Sequence, residues 1–330
     1  MLRTEIAELM DTKGKMYEVA QKTEYNLKLT SEEKEIAEVC DAWAKEIGEK
    51  GKDTDQEIAA YIKRTVQDQV YNAPDELLDQ LFDRGTVGEF DDAEYSKDAK
   101  NTLVAVEAAK GGNVDKSFID FTALTPTWKN RQVETDLSYV DLRKNGFKSI
   151  AGLTAFGVES LQNALFYDVF AAIDSAITGG EQKIDVTGSV PTQVAMDALS
   201  LYLTDRDTNA TVVCLTKYAQ AIGRMTSFYQ YMSDSMKEDF NRYGLTKFFD
   251  GVKVAGISSA KKQGNGTVLI PDKRIFGIAG KIGSLDLKGS LHVYETMDNN
   301  KEAVNIKIAD FTYGYAITNI ENAAKIVFSL

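Results

Sequence analysis

Histidine is all but absent: His292 is the only one in 330 residues, and it sits inside the alternating stretch Leu291-His292-Val293-Tyr294-Glu295. Any triad with an imidazole base would have to run through that ring, whose setting predicts a residue on a strand surface. Cysteine is nearly as scarce. Cys40 and Cys214 stand far apart in different kinds of segment, which predicts two buried small residues and no disulfide framework. One His and two distant Cys also exclude ordinary zinc sites. No apolar run approaches the ~20 residues of a membrane span, so no membrane contact is expected. The first 15 residues lack the apolar core of a secretory signal, and their acidic residues argue against an organelle transit peptide; synthesis in the cytoplasm is expected.

Two apparent motifs fail on inspection. Asp205-Arg206-Asp207-Thr208-Asn209 begins like a calcium loop, but Ala210 holds the glycine position and Thr216 the place of the bidentate glutamate. Gly277-Ile278-Ala279-Gly280-Lys281 faintly suggests a phosphate loop, yet Ile275 replaces its first glycine and Ile282 its Ser or Thr. Paired carboxylates such as Glu32-Glu33 and Asp91-Asp92 lie in polar stretches, where a solvated face outweighs a shared-proton dyad. No metal, cofactor or catalytic residue is expected, and the chain does not read as an enzyme.

The residues that are present describe a globular chain. Hydrophobic residues make up 43% and aromatics 10%, more than a disordered chain carries, and 330 residues suffice for one large or two ordinary domains. Charge is unevenly placed. Residues 1–110 carry 15 Lys and Arg against 26 Asp and Glu, a net of −11, while residues 111–330 carry 23 against 24, a net of −1. An acidic helical N-terminal region, 1–110, followed by a near-neutral body, 111–330, is the predicted organisation, with the boundary near Gly111-Gly112. The absence of a basic patch argues against sequence-specific nucleic-acid binding.

Leu2, Ile6, Leu9, Met16 and Ala20 follow one helical stripe, broken only by Lys13. A second helix opens at Thr30-Ser31-Glu32-Glu33-Lys34; Ser31 is the expected cap, Lys34 makes the capping box imperfect, and Gly48 and Gly51 are expected to end it. Helices are predicted over 55–71 and 74–82, and a loop-like acidic stretch over 85–110 with a weakly helical segment around 103–109. Alternation in 132–141 and 146–155 about Arg143-Lys144-Asn145-Gly146 predicts two strands and a basic turn, Asn-Gly being a strong hairpin signal. A long helix is predicted over 158–177, stopped by Gly179-Gly180. Beyond it come helix 192–203, strand 211–215, helix 217–225, and strands 252–257, 268–270, 290–296, 304–313 and 325–328. The class is α+β.

Several segments, in order, resemble the major capsid proteins of tailed bacteriophages, the Hong Kong 97-like family. Leu29-Thr30-Ser31-Glu32-Glu33 with its acidic helix resembles the N-terminal scaffold-like arm of that family. The basic hairpin stands in the place of the extended loop, and the long helix in that of the spine helix. Residues 211–225 resemble the strand and helix of the peripheral domain. Met236-Lys237-Glu238-Asp239-Phe240-Asn241-Arg242-Tyr243-Gly244-Leu245, running on to Phe249-Asp250-Gly251-Val252-Lys253-Val254, is similar to the Gly-Leu then Gly-Val pattern leading into the axial domain. Gly314-Tyr315-Ala316-Ile317-Thr318-Asn319-Ile320 resembles the closing segment, with Ile320 where Pro is common.

The resemblance implies an extended loop at about 130–156, a spine helix at about 158–177, a peripheral domain at about 181–250 and an axial domain at about 251–330. It implies a self-assembling virion subunit forming pentamers and hexamers around double-stranded DNA, which it would touch non-specifically, with portal, scaffolding or cement proteins as further partners. Arg143, Lys144 and Lys148 would meet acidic groups of a neighbouring subunit, and Leu2, Ile6, Leu9 and Met16 would serve inter-subunit contact. Some relatives cross-link covalently through a Lys and an Asn, whereas salt bridges are the expectation for this chain. An encapsulin-like protein compartment and an intracellular carboxylate-dependent hydrolase stay open as other readings.

Overall fold

The structure is a computed structural model describing Ile6, Leu9 and residues 15–24, 27–50, 57–67, 70, 76–96, 123–243, 245–298 and 301–329. The chain forms two compact units, each discontinuous in sequence: residues 1–74, 130–164 and 289–312, and residues 75–129, 165–288 and 313–330.

In the first unit, α1 (Lys15–Glu24), α2 (Ser31–Lys50) and α3 (Glu57–Val66) come first in sequence. Thr30, not Ser31, caps α2. The Glu33 amide donates to Thr30 Oγ1 at 3.3 Å and the Thr30 amide to Glu33 Oε2 at 2.8 Å, so Glu33 completes the reciprocal box. Nor does Gly48 end the helix. A Cβ there would lie 3.0 Å from the Arg143 nitrogen and Leu142 Cβ, so the missing side chain lets α5 (Tyr139–Asn145) approach α2.

The hairpin expected about Asn145-Gly146 is absent. Strand β4 (Thr127–Ser138) leads into α5, and Gly146 joins α5 to a 30-residue helix, α6 (Phe147–Ala176). Gly146 adopts φ +57° and its amide donates to the Leu142 carbonyl at 2.9 Å, the glycine C-terminus of a helix rather than a hairpin turn. Of residues 146–155, expected as a strand, all but Gly146 therefore form the first turns of α6. The long helix extends eleven residues further toward the N-terminus than its predicted start at 158. Asp41 of α2 fixes that start: its Oδ1 accepts the Phe147 amide at 3.2 Å. Phe147 packs in a buried aromatic cluster, its ring centroid 6.4 Å from Trp43 and 5.4 Å from Tyr61. In the same unit β11 (His292–Asp298) pairs antiparallel with β12 (Ala303–Ile317), and the Ala59 amide of α3 donates to Glu295 Oε2 of β11 at 3.0 Å. Residues 1–74 fall in one compact unit with 130–164 and 289–312. The expected boundary at Gly111-Gly112 lies outside the described residues.

In the second unit, α4 (Glu76–Leu81) runs into β1 (Phe82–Val87), which pairs in parallel with β10 (Gly283–Lys288). Part of the expected 85–110 loop is therefore strand. The sheet order is β1-β10-β12-β11, with β4 also on β12, and β2 (Tyr95–Ser96) and β3 (Ala123–Leu124) make a separate antiparallel ribbon.

A mixed six-stranded sheet follows the order β5 (Lys183–Thr187), β13 (Ala323–Ser329), β9 (Arg274–Ile278), β6 (Thr211–Leu215), β8 (Val252–Ile257), β7 (Phe248–Phe249). Every residue of β6 is buried, as suits an interior strand. Helices α7 (Gln193–Thr204) and α8 (Thr216–Gly223) pack against it, where Gly277 meets Leu199 and Leu203, and Gly256 meets Ala219. Two short helices, α9 (Thr226–Tyr231) and α10 (Asp234–Tyr243), precede β7. Two expectations are corrected here. Residues 268–270 form no strand beyond one bridge between Lys262 and Val268. The division at 250/251 does not separate two bodies, because β6 and β8, one on each side of it, pair from Thr211↔Lys253 to Leu215↔Ile257. The glycines once suggestive of a phosphate loop belong to β9 and the turn after it, with no helix N-terminus to hold an anion.

Candidate functional site

At the α5–α6 junction the lysine and arginine residues stand on helices and not on a hairpin turn. Arg143 and Lys144 occupy the last turn of α5, where cations favour the negative end of the helix, and Lys148 the first turn of α6; all three are exposed. The N-terminal stripe divides. Ile6 and Met16 are buried in this chain and Leu9 half-buried, so packing within the chain uses them, while Leu2 lies outside the described residues.

Burial pushes both thiols, Cys40 and Cys214, up to about 12, which makes them inert packing residues. His292 lies half-buried on β11, with Nδ1 3.3 Å from Asp310 Oδ2.

Sequence reading missed two polar clusters. Asp168 of α6 is 3% exposed; Lys129 Nζ donates to its Oδ1 at 2.8 Å and the Tyr313 hydroxyl donates to Oδ2. Lys129 and Asp168 line an open groove of about 520 Å³ with Thr127, Ala172, Ser175 and Tyr315. The carboxylate is committed on both oxygens to a cation and a phenol, so it reads as a compensated buried charge. No periodicity announces this cluster, since its members lie 39 and 145 residues apart.

The second cluster joins β4 to the β11–β12 turn. Lys301 Nζ donates to Asp136 Oδ2 at 3.0 Å and Asn305 Nδ2 to Asp136 Oδ1 at 2.9 Å. Lys, Asn and a carboxylate are the residue types of an amide cross-link, but the electrostatics oppose that chemistry. Asn305 and then Lys301 hold the Asp136 carboxyl below its ordinary value, and Asp136 raises the Lys301 ammonium above its own. A nucleophilic amine must lose its proton, so this set is a clamp on the turn.

The arrangement of a long helix, a sheet containing β12 and a mixed six-stranded sheet with two covering helices is an α+β capsid fold of the Hong Kong 97-like kind. A chain from Mycobacterium phage Ogopogo matches with TM-score 0.57 and 12% identity, over 79% of this chain and 99% of that one. The mature capsid of bacteriophage PhiM1 matches with TM-score 0.53 and 10% identity, over 78% and 88%. The SrpI encapsulin complex from Synechococcus elongatus matches with TM-score 0.50 and 13% identity, over 78% and 89%. No family model and no curated protein matches the sequence.

Proposed function

We propose that this chain is a non-enzymatic structural subunit that assembles with copies of itself into an icosahedral virion shell, as pentamers and hexamers around double-stranded DNA. The observation that carries this reading is the fold, which accounts for 99% of the Ogopogo phage chain. The compensated state of Asp168 and the low nucleophilicity of Lys301 and both thiols agree with a structural role. A near-neutral body also suits packaged DNA, because a strongly basic interior would bind the genome and hinder its release.

Expression of the full chain, followed by sedimentation and negative-stain microscopy, tests the proposal. Rings or closed shells are expected; a chain that stays monomeric as its concentration rises overturns it. The encapsulin likeness supports a second reading, a compartment that holds protein cargo. Particles isolated from the native source separate the two: nuclease-protected DNA marks a virion, and a co-purifying enzyme without DNA marks a compartment.

A further inference from the structure

Two exposed aromatic surfaces of opposite charge stand apart from the core. The first is the turn after β1. The Asp91 amide donates to the Gly88 carbonyl at 3.1 Å, which places Glu89 and Phe90 at the apex. Phe90 is 92% exposed, and Glu89, Asp91, Asp92 and Glu94 around it are exposed as well. The second surface is the α5–α6 junction with the first turns of α6. Lys148, Gly152 and Phe156 follow one another at intervals of four and so share a helix face. Phe156 is 70% exposed, and a Cβ at Gly152 would meet nothing within 4 Å, leaving a bare notch between lysine and phenylalanine. Arg143 and Lys144 extend the basic side, while Asp141 and Glu159 are the exposed acids nearby in sequence.

A single exposed aromatic needs no explanation, but an exposed aromatic among four carboxylates and another beside three cations are a complementary pair. We propose that the turn 88–94 of one copy docks on the α5–α6 face of a second copy. Phe90 seats over Gly152 against Phe156, and the four carboxylates face Arg143, Lys144 and Lys148. The aromatic contact supplies affinity, and the charges set orientation and rate. Because the two surfaces differ, the contact is heterologous and repeats from copy to copy, the geometry that closes rings. The inference rests on the shell proposal and supplies one of its subunit contacts.

The test uses two full-length variants, Phe90→Cys and Gly152→Cys, mixed under mild oxidation. The native thiols are silent in the folded chain. A cross-linked species of twice the chain mass is expected from this mixture, and none from Phe90→Cys mixed with Val194→Cys, which places the second thiol at an exposed position of α7. Charge reversal gives a second readout that needs no cysteine. Asp91→Lys with Asp92→Lys, or Lys144→Glu with Lys148→Glu, should each raise the concentration needed for assembly by about tenfold at low salt, and mixing the two reversed proteins should restore co-assembly. Thermal melts establish that each variant folds, and the cross-linking pair carries the test if a reversed chain does not. Wild-type assembly with no Phe90–Gly152 cross-link, or with reversed chains assembling normally, overturns the docking and leaves the shell proposal standing. A wild-type chain that never assembles overturns both.

Discussion

At Gly283 a Cβ would stand 2.0 Å from the carbonyl oxygen of Ala316, with the Ala316 and Ile317 backbone directly behind it. Backbone yields far less readily than a side-chain tip. Gly283→Ala should therefore destabilise the chain by about 3 kcal/mol in urea unfolding, at the upper end of overpacking costs. Gly277→Ala is the comparison: its Cβ would press on the ends of Leu199 and Leu203, 2.7 to 2.8 Å away, and flexible leucine tips should limit the loss to about 1 kcal/mol. A different residue-scale effect attends Asp286, whose Oδ2 is buried without a hydrogen-bond partner. Burial raises its folded pKa. The folded chain thus holds the proton longer than the unfolded one, and stability falls as pH rises from about 3.9, the ordinary carboxylate value, through the raised folded value. Asp286→Asn should raise the melting temperature at pH 7, and the gain should fade as the pH is lowered toward the ordinary value. A gain that stays constant with pH would contradict this account.

Among elements, α6 shows what could and could not be read from the chain. Ile150, Thr154, Val158, Leu161, Leu165, Val169 and Ile173 are all buried at steps of three and four, and the second half of that series was legible as a helix. Its first half was not, because over ten residues a helical stripe and a strand alternation overlap, and Asn-Gly serves a helix C-terminus as well as a hairpin. What decides the matter is long-range: Asp41, 106 residues upstream, receives the first amide of α6. Asp41→Ala should cost about 1 kcal/mol, the usual value of a lost N-cap, and Asp41→Asn should recover most of it; chemical denaturation would measure both. Central strand β9 was hidden by its own glycine, which is needed for close helix packing. Strand β10, by contrast, carried a usable signal in the alternation of Leu285 and Leu287. The buried cluster at Asp168 had no local signal at all.

For the whole molecule, net charge reports on surface and not on which side chains share a core, and residues 1–74 of the acidic stretch share a compact unit with 130–164 and 289–312. Trp43 and Tyr61 complete the packing around Phe147, and Gly48 accepts α5. A chain lacking residues 1–74 should therefore bind a hydrophobic dye and lose its cooperative thermal transition. A truncated chain that melts sharply would instead restore the picture of a detachable arm.

The order of the six-stranded sheet has a bearing on biosynthesis. Strand β13, residues 323–329, lies inside that sheet between β5 and β9, and the first unit likewise waits for residues 289–312. A ribosome must therefore translate past residue 312 before the first core can close and past residue 329 before the six-stranded sheet can, so neither folds piece by piece behind it. Copies cut short by stalled translation would lack an interior strand, leaving β5 and β9 with no partner between them.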